Sequence, residues 1–240
     1  MISERQFASL SSSAWKLVAP HSREMMMMLN ARLIKYAPPV KLAAPLERRS
    51  VVGEMGFRLF VRMAEAKSPQ STRPDELMSL HTEAEQYVLS FVPESYHAQF
   101  RRLAETKSEV ECAIAEARSL FTFFEPDIAA GRISVSPEFR GCGIVDSCKG
   151  DVLAAGALFE VKSRLGAFEQ ADLRQAIVYS TLSFIEDPSR ISRIGLLNPH
   201  RGLCFVASLD EIASDFAGLS VREFFNSIIE LMTPTTPDVE

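Results

Sequence analysis

Along residues 107–125 the apolar positions Val110, Ala113, Ile114, Ala117, Leu120, Phe121 and Phe124 recur at steps of three and four. That is the spacing of one face of an α-helix, and Pro126 is expected to end it because its ring cannot continue the ladder. The chain before this helix also reads as helical. Serines open "SSSAWKLV" as candidate N-caps, and "SREMMMMLNARLIKY" predicts a second helix stopped by "APP". "PLERRSVVGEMGFRLFVRMAEAK" predicts a third, with Arg48, Arg49, Arg58 and Arg62 giving it a basic side suited to solvent or to phosphates. "KSPQSTRP" is a polar break. "PDELMSLHTEAEQYVLSFV" starts with proline and acids, as a first turn prefers.

After residue 130 the period changes. "GRISVSPEF", "CGIVDSCKGDVL" and "ALFEVKS" are short, apolar or β-branched, and set off by glycine or proline, so they read as strands. "FEQADLRQAIVYSTLSFIED" returns to helix, with Asp172 favoured near its start by the dipole. "SRIGLLNP" and "LCFVASL" read as two further strands joined by "HRG", and residues 210–232 supply covering helices. The order is therefore α-β-β-β-α-β-β from about residue 106: an α/β domain over 106–240, preceded by a helical region over 1–105. The breaks near 67–74 and 93–107 are both candidate boundaries.

Composition adds a limit rather than a function. The 240 residues are 47% hydrophobic and 24% charged, ordinary for a globular chain. The net charge of −5 argues against a general nucleic-acid coat. Its distribution is uneven. Residues 1–73 hold twelve Lys/Arg against five Asp/Glu, a balance of +7, and the remainder holds 14 against 26, a balance of −12. Such a split suits a DNA-facing surface beside a carboxylate-rich site, and equally a protein contact. Four cysteines without C-x-x-C spacing and four scattered histidines suggest neither a zinc site nor disulfides, which fits a reducing cytoplasm. "MMMMLNARLI" is too short to cross a bilayer, which needs about 20 apolar residues. The N-terminus lacks a signal-peptide layout.

The chemistry concentrates in "GDVLAAGALFEVKS", Gly150 to Ser163. Alternation puts Leu158, Glu160 and Lys162 on one face of the strand and Phe159 and Val161 on the other. A hairpin turning at Ala154-Ala155-Gly156 carries Asp151 back towards Glu160. Two carboxylates held close repel unless protonated or bridged by a cation. All-oxygen ligation suits Mg²⁺ or Mn²⁺, and Lys162 can orient an anion beside them.

This stretch resembles the core motif of the PD-(D/E)XK nuclease superfamily, an Asp followed after a hairpin by (Asp/Glu)-x-Lys, although Gly150 stands where proline is usual. "DLRQAIVYSTL" resembles the Gln-x-x-x-Tyr signature of its RecB-like branch, with Gln175 and Tyr179 on one helix face. The resemblance covers roughly residues 106–208. It implies a restriction endonuclease-like α-β-β-β-α-β core with a mixed sheet, and a metal-dependent nuclease. Asp151, Glu160 and the Val161 carbonyl would hold the metal, Lys162 would orient the attacking water, and Gln175 and Tyr179 would position the site or the strand. A glutamate from the first core helix often joins, and Glu116 is the candidate, with Glu111 second. Asp146 is the alternative to Asp151, which is preferred because it leaves a short, closable hairpin. Arg140, Arg164 and Arg174 are candidate phosphate contacts. The resemblance makes DNA the expected substrate, with RNA open. A helicase or ATPase partner in DNA repair or anti-phage defence, and self-association, are compatible with it. The contrasting expectation is a non-catalytic subunit of the same fold that binds DNA or protein.

Overall fold

A computed structural model describes residues 1–10, 12–41, 44–70 and 73–234. The serine cap expected at residue 11 and the centre of the polar break at 71–72 lie outside them. Ten α-helices occur among the described residues: α1 (Glu4–Ala8), α2 (Ser12–Val18), α3 (Ser22–Ala31), α4 (Arg49–Ala66), α5 (Pro74–Leu89), α6 (Glu94–Arg102), α7 (Thr106–Ala129), α8 (Gln170–Glu186), α9 (Leu209–Ala217) and α10 (Val221–Met232). The strands are β1 (Ile34–Lys35), β2 (Ile133–Val135), β3 (Glu138–Phe139), β4 (Cys148–Lys149), β5 (Val152–Ala154), β6 (Ala157–Val161), β7 (Arg193–Asn198) and β8 (Leu203–Ser208). Six of them form one mixed sheet in the order β1-β8-β7-β6-β5-β2, and β3 and β4 make a separate ribbon. Only β6 and β7 run parallel, and α8 is the crossover such a pair requires. The protein is a mixed α/β structure.

Strand alternation sorts the sheet into two cores. Leu158, Ile194, Leu196, Phe205 and Ala207 pack with α1, α2, α3, α8, α9 and α10. Phe159, Leu197 and Cys204 pack on the other face with α4, α5 and α7. Both faces of β6 are therefore covered by helices, which leaves its polar side chains buried. The first hundred residues contribute to both layers, and β1 extends the sheet through Ile34 opposite Cys204. Packing runs continuously across residues 105 and 106.

Several sequence expectations need correction. Helix α3 stops at Ala31, and Ile34–Lys35 pair with β8 instead of continuing it. The buried face of α3, Met25, Met26 and Leu29, is complete by then, so the β-branched Ile34 that follows can join the sheet edge. Helix α7 runs through Pro126 to Ala129. A proline inside a helix costs about 3 kcal/mol, and burial of Ile128 in the α7 core offsets most of that. Helix α6 occupies a stretch read as a break. "GIVD" forms no strand, only bridges of Val145 to Ile2 and Cys142. Of the four arginines expected to give the α4 segment a basic side, Arg48 and Arg58 are paired with acids and Arg49 lines a cleft. Arg48 is wholly buried, forked onto Glu109 through Nε at 2.8 Å and Nη2 at 2.9 Å. Arg58 is held by Glu54 and Glu83.

Candidate active site

The site is built on the β5–β6 hairpin. Ala154 pairs with Ala157, so the connection is the two residues Ala155 and Gly156 alone. Their φ values of 45° and 75° are those of a turn that matches the twist of its strands. This turn is tighter than the three residues expected, and it sets the register that follows. Asp151 immediately precedes β5, and its Oδ2 accepts the Val161 N–H at 2.7 Å across the hairpin. Residues on an extended strand send N–H and C=O to the same side, so the Val161 carbonyl also faces the Asp151 side.

Glu160 lies one residue earlier and is only 2% exposed. Its Oε1 accepts Lys162 Nζ at 2.6 Å, while its Oε2 is buried without any hydrogen-bond partner. A buried acceptor left unpaired costs about 1–3 kcal/mol, and more when charged. Burial first, and then the charge of Asp151, push the Glu160 carboxyl up to about 8 despite Lys162. Burial raises Asp151 as well, against the pull of Lys162 and the Val161 N–H. Two acids whose ionised forms are disfavoured side by side are what a bound cation would relieve.

Lys162 connects this pair to α8. Its Nζ also donates to Gln175 Oε1 at 2.9 Å. Gln175 Nε2 donates to Tyr179 Oη at 2.9 Å and to Glu4 Oε1 at 3.2 Å, and the Tyr179 hydroxyl donates to the same Glu4 oxygen at 3.2 Å. The one-turn separation of Gln175 and Tyr179 thus makes a direct bond. Burial holds the Tyr179 hydroxyl far above its ordinary range, so it stays a neutral donor.

Glu116 reaches the same cleft from α7. Its Oε2 accepts Ser163 Oγ at 2.6 Å, and its Oε1 lies 3.1 Å from His200 Nδ1. Gly53 of α4 makes this approach feasible, because a Cβ there would sit 2.9 Å from Ser163 Cβ. Asp151, Glu160, Val161, Lys162 and Glu116 all line one cleft of about 390 Å³, walled by α1, α4, the end of α5 and α7.

Other expected residues lie elsewhere. Asp146 does not line the cleft; its backbone N–H bonds to Ile2 O. Glu111 borders a separate groove with Met78 and Val110. Arg140, 89% exposed, pairs with Glu186 at 3.2 Å. Arg164 is taken by Glu169 and Asp172, each at 2.9 Å. Arg174 is buried over the Trp15 ring and bonds Gln170. The cations that do line the cleft with Lys162 are Arg5 and Arg49. Glu4, Arg5, Ser163 and His200 carried no spacing signal; Glu4 meets Gln175 from 171 residues away.

Among the described residues no group of three or more His, Cys, Asp or Glu side chains is arranged to hold a metal ion. Asp151, Glu160, Glu54 and Glu116 bring carboxylates to the cleft lining without forming such a group. Oxygen donors of this kind could suit Mg²⁺ or Mn²⁺, which keep several waters and use one or two carboxylates, and Glu160 Oε2 is buried without a hydrogen-bond partner. Among the described residues no helix is long and apolar enough to cross a membrane. No family model, curated protein or solved structure matches the chain.

Proposed function

We propose that the protein is a metal-dependent nuclease of the restriction endonuclease-like fold, hydrolysing phosphodiester bonds, with DNA as the first substrate to test. The observation that carries this is the buried carboxylate pair: Asp151 and Glu160 share one cleft, and Glu160 keeps an unpartnered oxygen beside an ammonium group. Asp151, Glu160 and the Val161 carbonyl would hold Mg²⁺ or Mn²⁺. When bound, such an ion supplies a nucleophile at neutral pH and offsets charge on the phosphate and leaving oxygens.

The chain's own residues do the rest. Lys162 stands on the cleft side of β6 with its charge fixed by Glu160 and Gln175, so it can orient water and stabilise negative charge developing on phosphorus oxygens. Gln175 fixes Lys162, because its amide nitrogen is committed to Glu4 and Tyr179 and its oxygen must face the ammonium. Glu116 holds Ser163 at the cleft wall and contacts the buried His200 behind it. Burial favours the protonated form of Glu160.

The test uses purified protein with Mg²⁺ or Mn²⁺ on plasmid, linear and single-stranded DNA, beside Glu160→Ala and Lys162→Ala. Cleavage by the wild type alone is the expected result. Cleavage surviving in both variants would remove this mechanism.

A further inference from the structure

The cleft contains a second set of side chains that hydrolysis itself does not use. Arg49, at the start of α4, donates through Nε to Ser163 O at 3.3 Å, yet both its Nη1 and Nη2 are buried with no partner. Its neighbours in sequence and along the helix are fully engaged: Arg48 by Glu109 and Glu85, Arg58 by Glu54 and Glu83. An unpaired guanidinium fork is shaped for two oxygens of one phosphate. Arg5 of α1 lines the same cleft, with its Nε 3.6 Å from Glu4 Oε1.

Beyond these cations the cleft is lined by Tyr87 and Phe91. Their rings meet edge to face at 5.1 Å. Phe91 is 68% exposed, so its face is open to a partner. Exposed aromatic rings beside cations that follow a strand are the means by which unpaired bases are held, since every base has a stacking face. A duplex keeps those faces stacked internally, and offers one only where a base is unpaired. A cleft of about 390 Å³ is of the size that takes a single small ligand rather than an extended surface.

We propose that the cleft receives one unpaired nucleotide of a single-stranded nucleic acid, its phosphate on Arg49 and Arg5 and its base on Phe91 and Tyr87. This rests on the nuclease reading and narrows its substrate to single strands or unpaired ends. DNA and RNA share the chemistry. The N-terminal helices thereby acquire a role: α1, α4 and α5 supply cleft side chains that would hold the strand.

The full chain is tested in EDTA, where no metal is present, by fluorescence anisotropy with labelled oligo-dT, oligo-rU and a blunt duplex. The single strands are expected to bind about tenfold or more tightly than the duplex. Phe91→Ala, a surface change, is expected to weaken single-strand binding roughly 5- to 100-fold, the loss of one base–aromatic stack. Arg49→Gln is expected to reduce the slope of log affinity against log salt by about 0.7, one strand phosphate. Equal or tighter duplex binding, or Phe91→Ala binding unchanged, overturns the proposal. Single-strand binding without cleavage in Mg²⁺ or Mn²⁺ would refute the nuclease reading and leave this one standing. Cleavage confined to duplex would do the reverse.

Discussion

Replacing Glu160 by glutamine isolates the most unusual group in the molecule. A carboxyl raised from 4.5 to about 8 means that the folded chain binds more protons than the unfolded chain between those pH values. Stability from this group is undiminished below pH of about 4.5, declines as pH rises through the window, and reaches its full loss above about 8. At roughly 1.4 kcal/mol per pH unit, the loss is about 3 kcal/mol by pH 7 and roughly 4–5 kcal/mol above pH 8. Glu160 is 2% exposed, so solvent screening reduces this little. Asp151, raised in the same direction, adds to the slope. Glu160→Gln keeps the shape and removes the charge. Its forfeited contact with Lys162 subtracts part of the gain, leaving the variant more stable than wild type by roughly 2–4 kcal/mol near pH 8 and nearly equal near pH 5.5. Urea unfolding at both pH values reads this directly. Wild-type stability that is flat or rises over that range, or an identical slope in the variant, refutes the reasoning.

Three other outcomes follow from neighbouring geometry. His81, Arg48 and the Glu105 N–H outweigh burial and hold Glu109 down to about 2, so its share of stability is present above about 4.5 and lost as pH falls through 2. Glu109→Gln leaves the wholly buried Arg48 charge without its main partner and should cost about 3–5 kcal/mol, seen as a lower urea midpoint at pH 7. Gly53→Ala places a Cβ 2.9 Å from Ser163 Cβ; overpacking of about 1–3 kcal/mol exceeds the helix-propensity gain of about 1 kcal/mol, so a net loss in thermal stability is expected. Tyr179→Phe removes the hydroxyl shared by Gln175 and Glu4 and should cost about 1 kcal/mol in urea unfolding.

What the sequence could show was what depends on local period. Alternation in "ALFEVKS" put Leu158 and Phe159 on opposite faces, and they do enter different cores. The four-residue step from Gln175 to Tyr179 became a hydrogen bond. Contacts between distant segments left no such trace. Nothing near Arg48 announces that Glu109, 61 residues on, neutralises it inside the protein, so a string of arginines looked like a surface. Glu4 sits in a short helix with no feature that points to α8. Proline carried more weight at Pro126 than it deserved, because the pull of a buried turn beyond it is not local.

Asp151 and Glu160 are proposed to hold a divalent cation together. Calorimetric titration of Mn²⁺ near pH 7, in two buffers of different ionisation enthalpy, tests it. Because burial and the neighbouring Asp151 favour the protonated form of Glu160, binding should release protons, making the observed heat depend on the buffer, and Glu160→Gln should abolish binding and reduce the release. No binding by the wild type, or binding unchanged in the variant, would contradict the account.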